Sequence, residues 1–449
     1  MKWLNRFIIS LILLSCFHLF GSEKESEYNQ NWPTWRGPLC TGEAPLGTPS
    51  LAFGEDQHVK WKIPIPGKGL SSPVIWGDNI FITTAVSIDK PVNPEDLENQ
   101  TEIPMWMKAQ ARSVDKIQQF KVMSISRKTG DILWQNVVRE ELPHEGTHKD
   151  GSWASNSCVT DGDCLITFFG SYGVYCFDLK GKKIWEKDLG DMQPSNSFGE
   201  GSSPALYKNS VVINWDHEGD SFIIVLDKKT GKTIWKKERQ EGTSWSTPII
   251  VEVNGKPQIV VSATSMSRGY DLTDGEVIWQ IGGLTSNVIP SPVYLDGVVY
   301  LMSGFRGNMI QAVRLDQAKG ELNNSKALVW TSEEKITPYV PSPLLFQGKL
   351  YFLHGNDDKL SCADAKSGEI HYSRESLEGM KGVYAAPVAA NNRIYVAGRN
   401  GVVAVIKPGP VFEVLATNTL NDSFDASPAI VGNDLILRGI ENLYCISEL

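Results

Sequence analysis

The chain has 449 residues, with 52 Asp and Glu against 43 Lys and Arg and a formal net charge of −9, giving a pI near 5.4. That balance, with no basic run anywhere, argues against nucleic acid as a partner, because phosphate binding needs clustered cations. Hydrophobic residues at 41% and charged residues at 21% describe an ordinary globular composition.

Residues 1–22 read as an export signal. Lys2 and Arg6 make a short positive region, and the apolar run from Phe7 to Phe20 is long enough for secretion and too short to span a bilayer. Two processing routes fit. Cleavage near Gly21 or Ser22 would release the remainder. Alternatively, Leu13-Leu14-Ser15-Cys16 resembles a bacterial lipobox and would leave lipid on Cys16, although the apolar run continues beyond it through Phe17, Leu19 and Phe20. That lipid would be the chain's membrane contact. Either route exports the chain to the periplasm or the cell surface. Residues 23–57 form a lead-in containing Trp32-Pro33-Thr34-Trp35-Arg36-Gly37-Pro38.

From residue 58 to 449 the chain is a repeat. A small residue followed by Pro recurs at Ser72, Ser203, Thr247, Ser291, Ser342, Ala386 and Ser427, with an eighth copy at Ser157-Cys158 that has lost its Pro. A second anchor is Gly with an aromatic four residues on: Gly130/Trp134, Gly181/Trp185, Gly231/Trp235, Gly275/Trp279 and Gly368/Tyr372, with Trp330 ending a stretched copy and Trp61 standing alone. Turns led by Asp or Ser precede most of these glycines, as in Asp227-Lys228-Lys229-Thr230-Gly231. Asp and Ser bond the following backbone, and Gly accepts positive φ. Between anchors run short Val-, Ile- and aromatic-rich segments bounded by turn residues, without a helical period. Each unit of roughly 44 residues therefore holds four strands, the arithmetic of a propeller blade.

The expected fold is all-β, an eight-bladed β-propeller of four-stranded antiparallel blades. The last unit supplies three strands, and His58 to Pro64 has the aromatic of a fourth strand with no blade before it. An N-terminal strand should thus complete the last blade and leave no terminal edge free. The Asp-x-x-x-Gly-x-x-x-Trp spacing and the Ser-Pro strand starts resemble the pyrroloquinoline-quinone-type (PQQ-like) repeat of the BamB-like and quinoprotein-dehydrogenase-like superfamily. The resemblance implies the fold and an envelope location. It leaves function open, because that superfamily holds enzymes and scaffolds alike.

In such a blade the fourth-to-first connections and second-to-third hairpins share one face, here called upper. It carries both long excursions, residues 87–117 and 139–155, and variable loops are where binding is usually placed. An aromatic precedes most anchors there: Trp153, Phe198, Trp245, Tyr339, Tyr384 and Phe424. The hairpins add His217, Arg268, Arg306, His354, Arg399 and Arg438. Trp153, Phe198, Trp245, Arg268, Arg306, Tyr339, His354, Tyr384, Arg399 and Phe424 form the candidate binding face, a mouth of aromatics and unpaired cations for an extended peptide or a small anion. The repeat tryptophans Trp61, Trp134, Trp185, Trp235, Trp279 and Trp330 are expected to be packing residues.

Signals for catalysis are sparse. HExxH, GxSxG and P-loop motifs are missing from the sequence, and Asp216-His217-Glu218 reads as a solvated hairpin tip. His144 and His148 lack a third zinc ligand nearby. By the resemblance, a quinoprotein dehydrogenase would carry an adjacent Cys pair over its cofactor, and the sequence has none. The expectation is a non-catalytic scaffold engaging a protein or peptide of the cell envelope, with no cofactor and no metal. A PQQ-dependent oxidoreductase using calcium and a carbohydrate-binding propeller are the alternatives.

Overall fold

The computed structural model describes residues 27–98 and 105–448; the signal segment, with Cys16, lies outside them. Eight sheets form a propeller of four-stranded antiparallel blades. The inner strands are Val74–Trp76 (blade 1), Val159–Thr160 (blade 2), Ala205–Tyr207 (blade 3), Ile249–Val253 (blade 4), Val293–Leu295 (blade 5), Leu344–Phe346 (blade 6), Val388–Ala390 (blade 7) and Ala429–Val431 (blade 8). Blade 8 closes as the sequence predicts: Val59–Pro64 pairs antiparallel with Asn442–Ile446, setting Trp61 opposite Cys445.

Two repeated interactions explain the anchors. The anchor hydroxyls form a ring around the axis. The Ser72 N–H donates to Ser157 Oγ, and the same bond follows from Ser157 to Ser203, Ser203 to Thr247, Thr247 to Ser291 and Ser291 to Ser342, each 2.9–3.0 Å. Ala386 to Ser427 and Ser427 to Ser72 complete the circuit at 2.9 Å. One link is missing, because residue 386 has no hydroxyl for Ser342 to meet.

The second interaction lies farther out. Each repeat tryptophan lies on the turn glycine of the next blade and donates its indole N–H to a carbonyl there: Trp61 to Arg127, Trp134 to Leu179, Trp185 to Lys228, Trp235 to Leu272 and Trp330 to Ala365, at 2.7–3.0 Å. A Cβ at Gly231 would come within 2.7 Å of the Trp185 ring, and φ there is +68°. Glycine is therefore required for both turn and contact. Trp279 departs from the pattern. The stretched fifth unit sends Gly320–Glu321 back as an extra strand parallel to Val277–Ile281, and Trp279 is wholly buried.

The lead-in crosses the lower face and plugs the axis from below. Arg36 sits at the break in the hydroxyl ring, donating to Pro343 O at 2.7 Å, Pro387 O at 2.9 Å and Thr41 O at 3.1 Å. It is 2% exposed, and burial lowers its pKa to about 9. On the upper face the two excursions meet as a small sheet, Ala111–Arg112 against Thr147–His148. Cys158, Cys164, Cys176, Cys362 and Cys445 are buried and unpaired, as expected of small core residues.

Trp61→Ala should cost about 3–5 kcal/mol, as for loss of other buried tryptophans, and should match Trp235→Ala in thermal unfolding. Replacing Arg36 with Met leaves the Pro343 and Pro387 carbonyls without their donor, which should cost about 1–3 kcal/mol in denaturant unfolding.

Candidate functional site

Where the inner strands begin, under the upper mouth, the axis opens into a pocket of about 270 Å³. Its floor is Trp35, raised from below by the lead-in, and the anchor hydroxyls of seven blades line its wall. Phe198, Trp245, Tyr339 and Tyr384 stand around it with Leu70 and Ile289. These aromatics precede the anchors in the connections that enter the axis, so the repeat itself delivers them to one place. Each is held. Trp245 donates to Gly199 O at 2.7 Å, Tyr339 stacks on Phe305 at 4.7 Å and Phe198 meets His148 edge-on at 4.9 Å.

The charged groups of the rim are bonded to one another. Arg399 bonds Asp425 at 2.8 Å and Asp150 at 3.1 Å and lies 4.1 Å above the Tyr384 ring. The Tyr384 hydroxyl reaches Asp150 at 3.3 Å. Burial works to raise the Asp150 pKa, but the Arg399 bonds override it and hold it below the usual value. For the more enclosed Asp425 burial wins, and its pKa is raised. Lys68 donates to Lys149 O at 3.1 Å, and burial, with Arg112 nearby, lowers its pKa to about 8. The His148 pKa is also lowered by burial. Lysine and arginine are missing from the described residues lining the pocket.

Of the ten candidate residues, the structure brings Phe198, Trp245, Tyr339 and Tyr384 to the pocket and Arg399 to its rim. It places the others elsewhere. Trp153 bonds Glu145 O at 3.0 Å and packs against the cluster of Phe120, Phe169 and Tyr172. Phe424 is fully buried in a core cluster against Tyr444. Arg268 pairs with Glu241 at 2.9 Å, His354 pairs with Asp357 at 2.7 Å, and Arg306 is exposed beside Phe305. The expected set of unpaired cations therefore does not form. Arg438 is buried under Ser71 and Thr83 carbonyls. Nor is Asp216-His217-Glu218 a solvated tip: Asp216 and His217 are buried, Arg239 grips Asp216 at 2.7 and 3.1 Å, and Glu218 accepts from Thr243. His144 bonds Met192 O and Tyr172. Among the described residues no group of three or more His, Cys, Asp or Glu is placed to hold a metal ion.

Trp35, Asp150 and Asp425 are pocket residues that the sequence reading missed. The tryptophan-rich lead-in was the available signal for the first.

Residues 118–325 match the family described as outer membrane protein assembly factor BamB. This match and the eight-bladed fold together support a PQQ-like, BamB-type β-propeller. It is similar to the outer membrane protein assembly factors BamB of Shewanella oneidensis, at 22% identity over 294 residues, and of Yersinia pestis, at 21%. Each match covers 63% of this chain and spans 65% of the relative's length. Among solved structures, BamB from Moraxella catarrhalis superposes with a TM-score of 0.52 at 13% identity, covering 81% of this chain and 97% of that one. The computationally designed Ika8 protein gives 0.51 at 11%, covering 75% and 94%. At these identities the superpositions speak to the fold, and this BamB-type chain departs from its relatives in sequence over most positions.

Beside the pocket, Glu145 is 3% exposed and one of its carboxylate oxygens has no partner. Burial, and then repulsion from Glu200, pushes its pKa up to about 9. In the unfolded chain this group ionises near 4.5, so between that pH and about 9 the unfolded state binds fewer protons and stability falls as pH rises. Glu145→Gln should flatten the decline in melting temperature across that window and stabilise the protein at pH 8.

Proposed function

We propose that this BamB-type propeller is an exported, non-catalytic scaffold of the cell envelope that holds a segment of a partner protein at its upper mouth. One apolar or aromatic side chain of the partner enters the axial pocket. The observation that carries this reading is the pocket's chemistry. Four aromatic walls and a tryptophan floor surround a volume of about 270 Å³, below the range of about 300–1,000 Å³ usual for small-molecule sites, while Arg399 at its rim is bonded to two protein carboxylates. The relatives named as assembly factors are consistent with a protein ligand. Export rests on the signal segment, and a lipid on Cys16 would place the chain at a membrane surface.

The same lining opposes the PQQ alternative. A tricarboxylate quinone would meet Asp150, Asp425 and Glu200 in a pocket lined by no lysine or arginine among the described residues. A planar cofactor of that charge needs several donors converging on it, and calcium beside it needs a carboxylate set.

The test is a titration with peptides copied from strands of outer-membrane β-barrels, followed by quenching of indole emission. Trp245→Ala should weaken binding by about tenfold or more, as for a central aromatic anchor, whereas Arg306→Ala, outside the pocket, should bind as the parent does. Equal affinity in the Trp245 variant would sink the reading. So would dye reduction on addition of PQQ and calcium, or saturable binding of a sugar in place of peptide.

A further inference from the structure

The lead-in touches the lower face at a fixed register. Counting from each blade's ring residue, it bonds the third residue along the inner strand. In blade 1 that residue is Ile75, which exchanges N–H···O bonds of 2.8 and 3.1 Å with Trp32. In blade 2 the Thr160 N–H donates to Pro33 O at 2.9 Å, and in blade 6 the Leu345 N–H donates to Thr41 O at 3.1 Å. In blade 7 the Ala389 N–H donates to Gly42 O and its carbonyl accepts from Ala44, both at 2.8 Å. In blade 8 the lead-in bonds Gly432 O through Thr48 and packs Gly47 over Ile430.

Among the described residues, blades 3, 4 and 5 present the same register with no such cover. Their equivalent residues are Leu206, Ile250 and Tyr294. Leu206 lies opposite Val211 and Tyr294 opposite Val299, as Ile75 lies opposite Ile80. At that position of a two-residue hairpin the N–H and C=O point away from the second strand, here toward the axis. Blade 4 has a hairpin longer by an even number of residues, so Ile250, opposite Ile259, keeps the phase. The covered residues Ile75, Thr160, Leu345, Ala389 and Ile430 are 0–2% exposed. Leu206, Ile250 and Tyr294 are each partly open, and all three line a lower-face cavity of about 1110 Å³ bounded on its other side by Tyr28 and Leu39 of the lead-in.

We propose that the arc of Leu206, Ile250 and Tyr294 is a strand-docking surface for an extended, mainly apolar segment of another polypeptide, taken up by main-chain pairing. The occupant continues the arc that the lead-in begins. The lead-in shows that the register binds extended chain, and Trp32 and Pro33, adjacent in sequence, serve adjacent blades, so a short segment can span three. Two rim lysines are already engaged within the protein: Lys228 is bonded to Asp161 and lies 3.5 Å from Asp163, and Lys208 lies over Tyr207 and 3.8 Å from Glu252. That balance favours an occupant uncharged where it crosses the arc, held by backbone groups and by apolar contact with Leu206, Ile250 and Leu39. This surface is separate from the upper mouth, and Trp35 stands between the two cavities.

Hydrogen exchange read by mass spectrometry tests the arrangement. In the free protein the amides of segments 204–208, 248–252 and 292–296 should exchange faster than those of 73–77, 343–347 and 387–391. A synthetic peptide of alternating valine and threonine, added at millimolar concentration, should protect the first three segments, and the same peptide N-methylated at alternate residues should not. Ile250→Pro removes one outward N–H from an edge position that tolerates proline and should weaken the peptide by about tenfold. If that variant does not fold, the N-methylated peptide decides the matter on the parent protein. Trp245→Ala should leave this binding unchanged. Equal exchange in all six segments, equal binding of the N-methylated peptide, or an arc covered by a second copy in sedimentation would each overturn the proposal. Binding lost in Trp245→Ala and kept in Ile250→Pro would overturn it while leaving the upper-mouth reading intact.

Discussion

A propeller must solve a problem at its axis, where eight inner strands converge and each turns one edge inward with no ninth strand to pair with. Backbone donors left bare there would be costly. In this chain the residue that leads into the inner strand carries the solution in seven of the eight blades, a hydroxyl small enough to fit beside the axis and able to accept the N–H of the neighbouring blade. Seven such bonds of 2.9–3.0 Å circle the axis. They set the rotation from blade to blade, and the proline that follows most of them fixes φ where the chain drops into its strand. Everything else hangs from that ring. The outer tryptophans can reach the next blade's glycine because the inner ends are already in step, and the aromatics just upstream of the ring are carried to the mouth of one pocket.

This dependence explains what the sequence disclosed. Any interaction repeated in every blade leaves a period, so the anchors, the Gly-to-Trp spacing and the closure by Val59–Pro64 could all be read as pattern. Phe198, Trp245, Tyr339 and Tyr384 were legible for the same reason. Features made by a single pair left no period. Arg268 looks like a free cation until Glu241, from the preceding connection, is brought beside it. Phe424 occupies the same sequence position as the pocket aromatics, but it packs outward against Tyr444. Asp216 is polar in a hairpin and would be solvated, except that Arg239 and Ser244 enclose it. Charge pairing across blades depends on which side chains face each other, and local sequence does not encode that.

The lead-in breaks the symmetry that the repeat creates. Eight equivalent blades would give eight equivalent inner edges at the lower face, with nothing to distinguish one partner position from another. By bonding blades 1, 2, 6, 7 and 8, the lead-in turns a uniform ring into a closed arc and an open one. Its placement is set by the single irregularity in the hydroxyl ring. Where Ala386 fails to accept from Ser342, the carbonyls of Pro343 and Pro387 face a guanidinium, and Arg36 occupies that seat. A buried arginine held only by carbonyls loses its hydration without gaining an ion pair, which accounts for its lowered pKa. Such a group is tolerable only where several oriented carbonyls converge. In this ring the break supplies two of them, and the lead-in brings the third from Thr41. The position of one alanine therefore fixes where Arg36 can sit, Arg36 fixes the course of the lead-in and the height of Trp35, and Trp35 sets the floor of the upper pocket and the roof of the lower cavity. The two surfaces available for partners are thus coupled to a single residue in the ring.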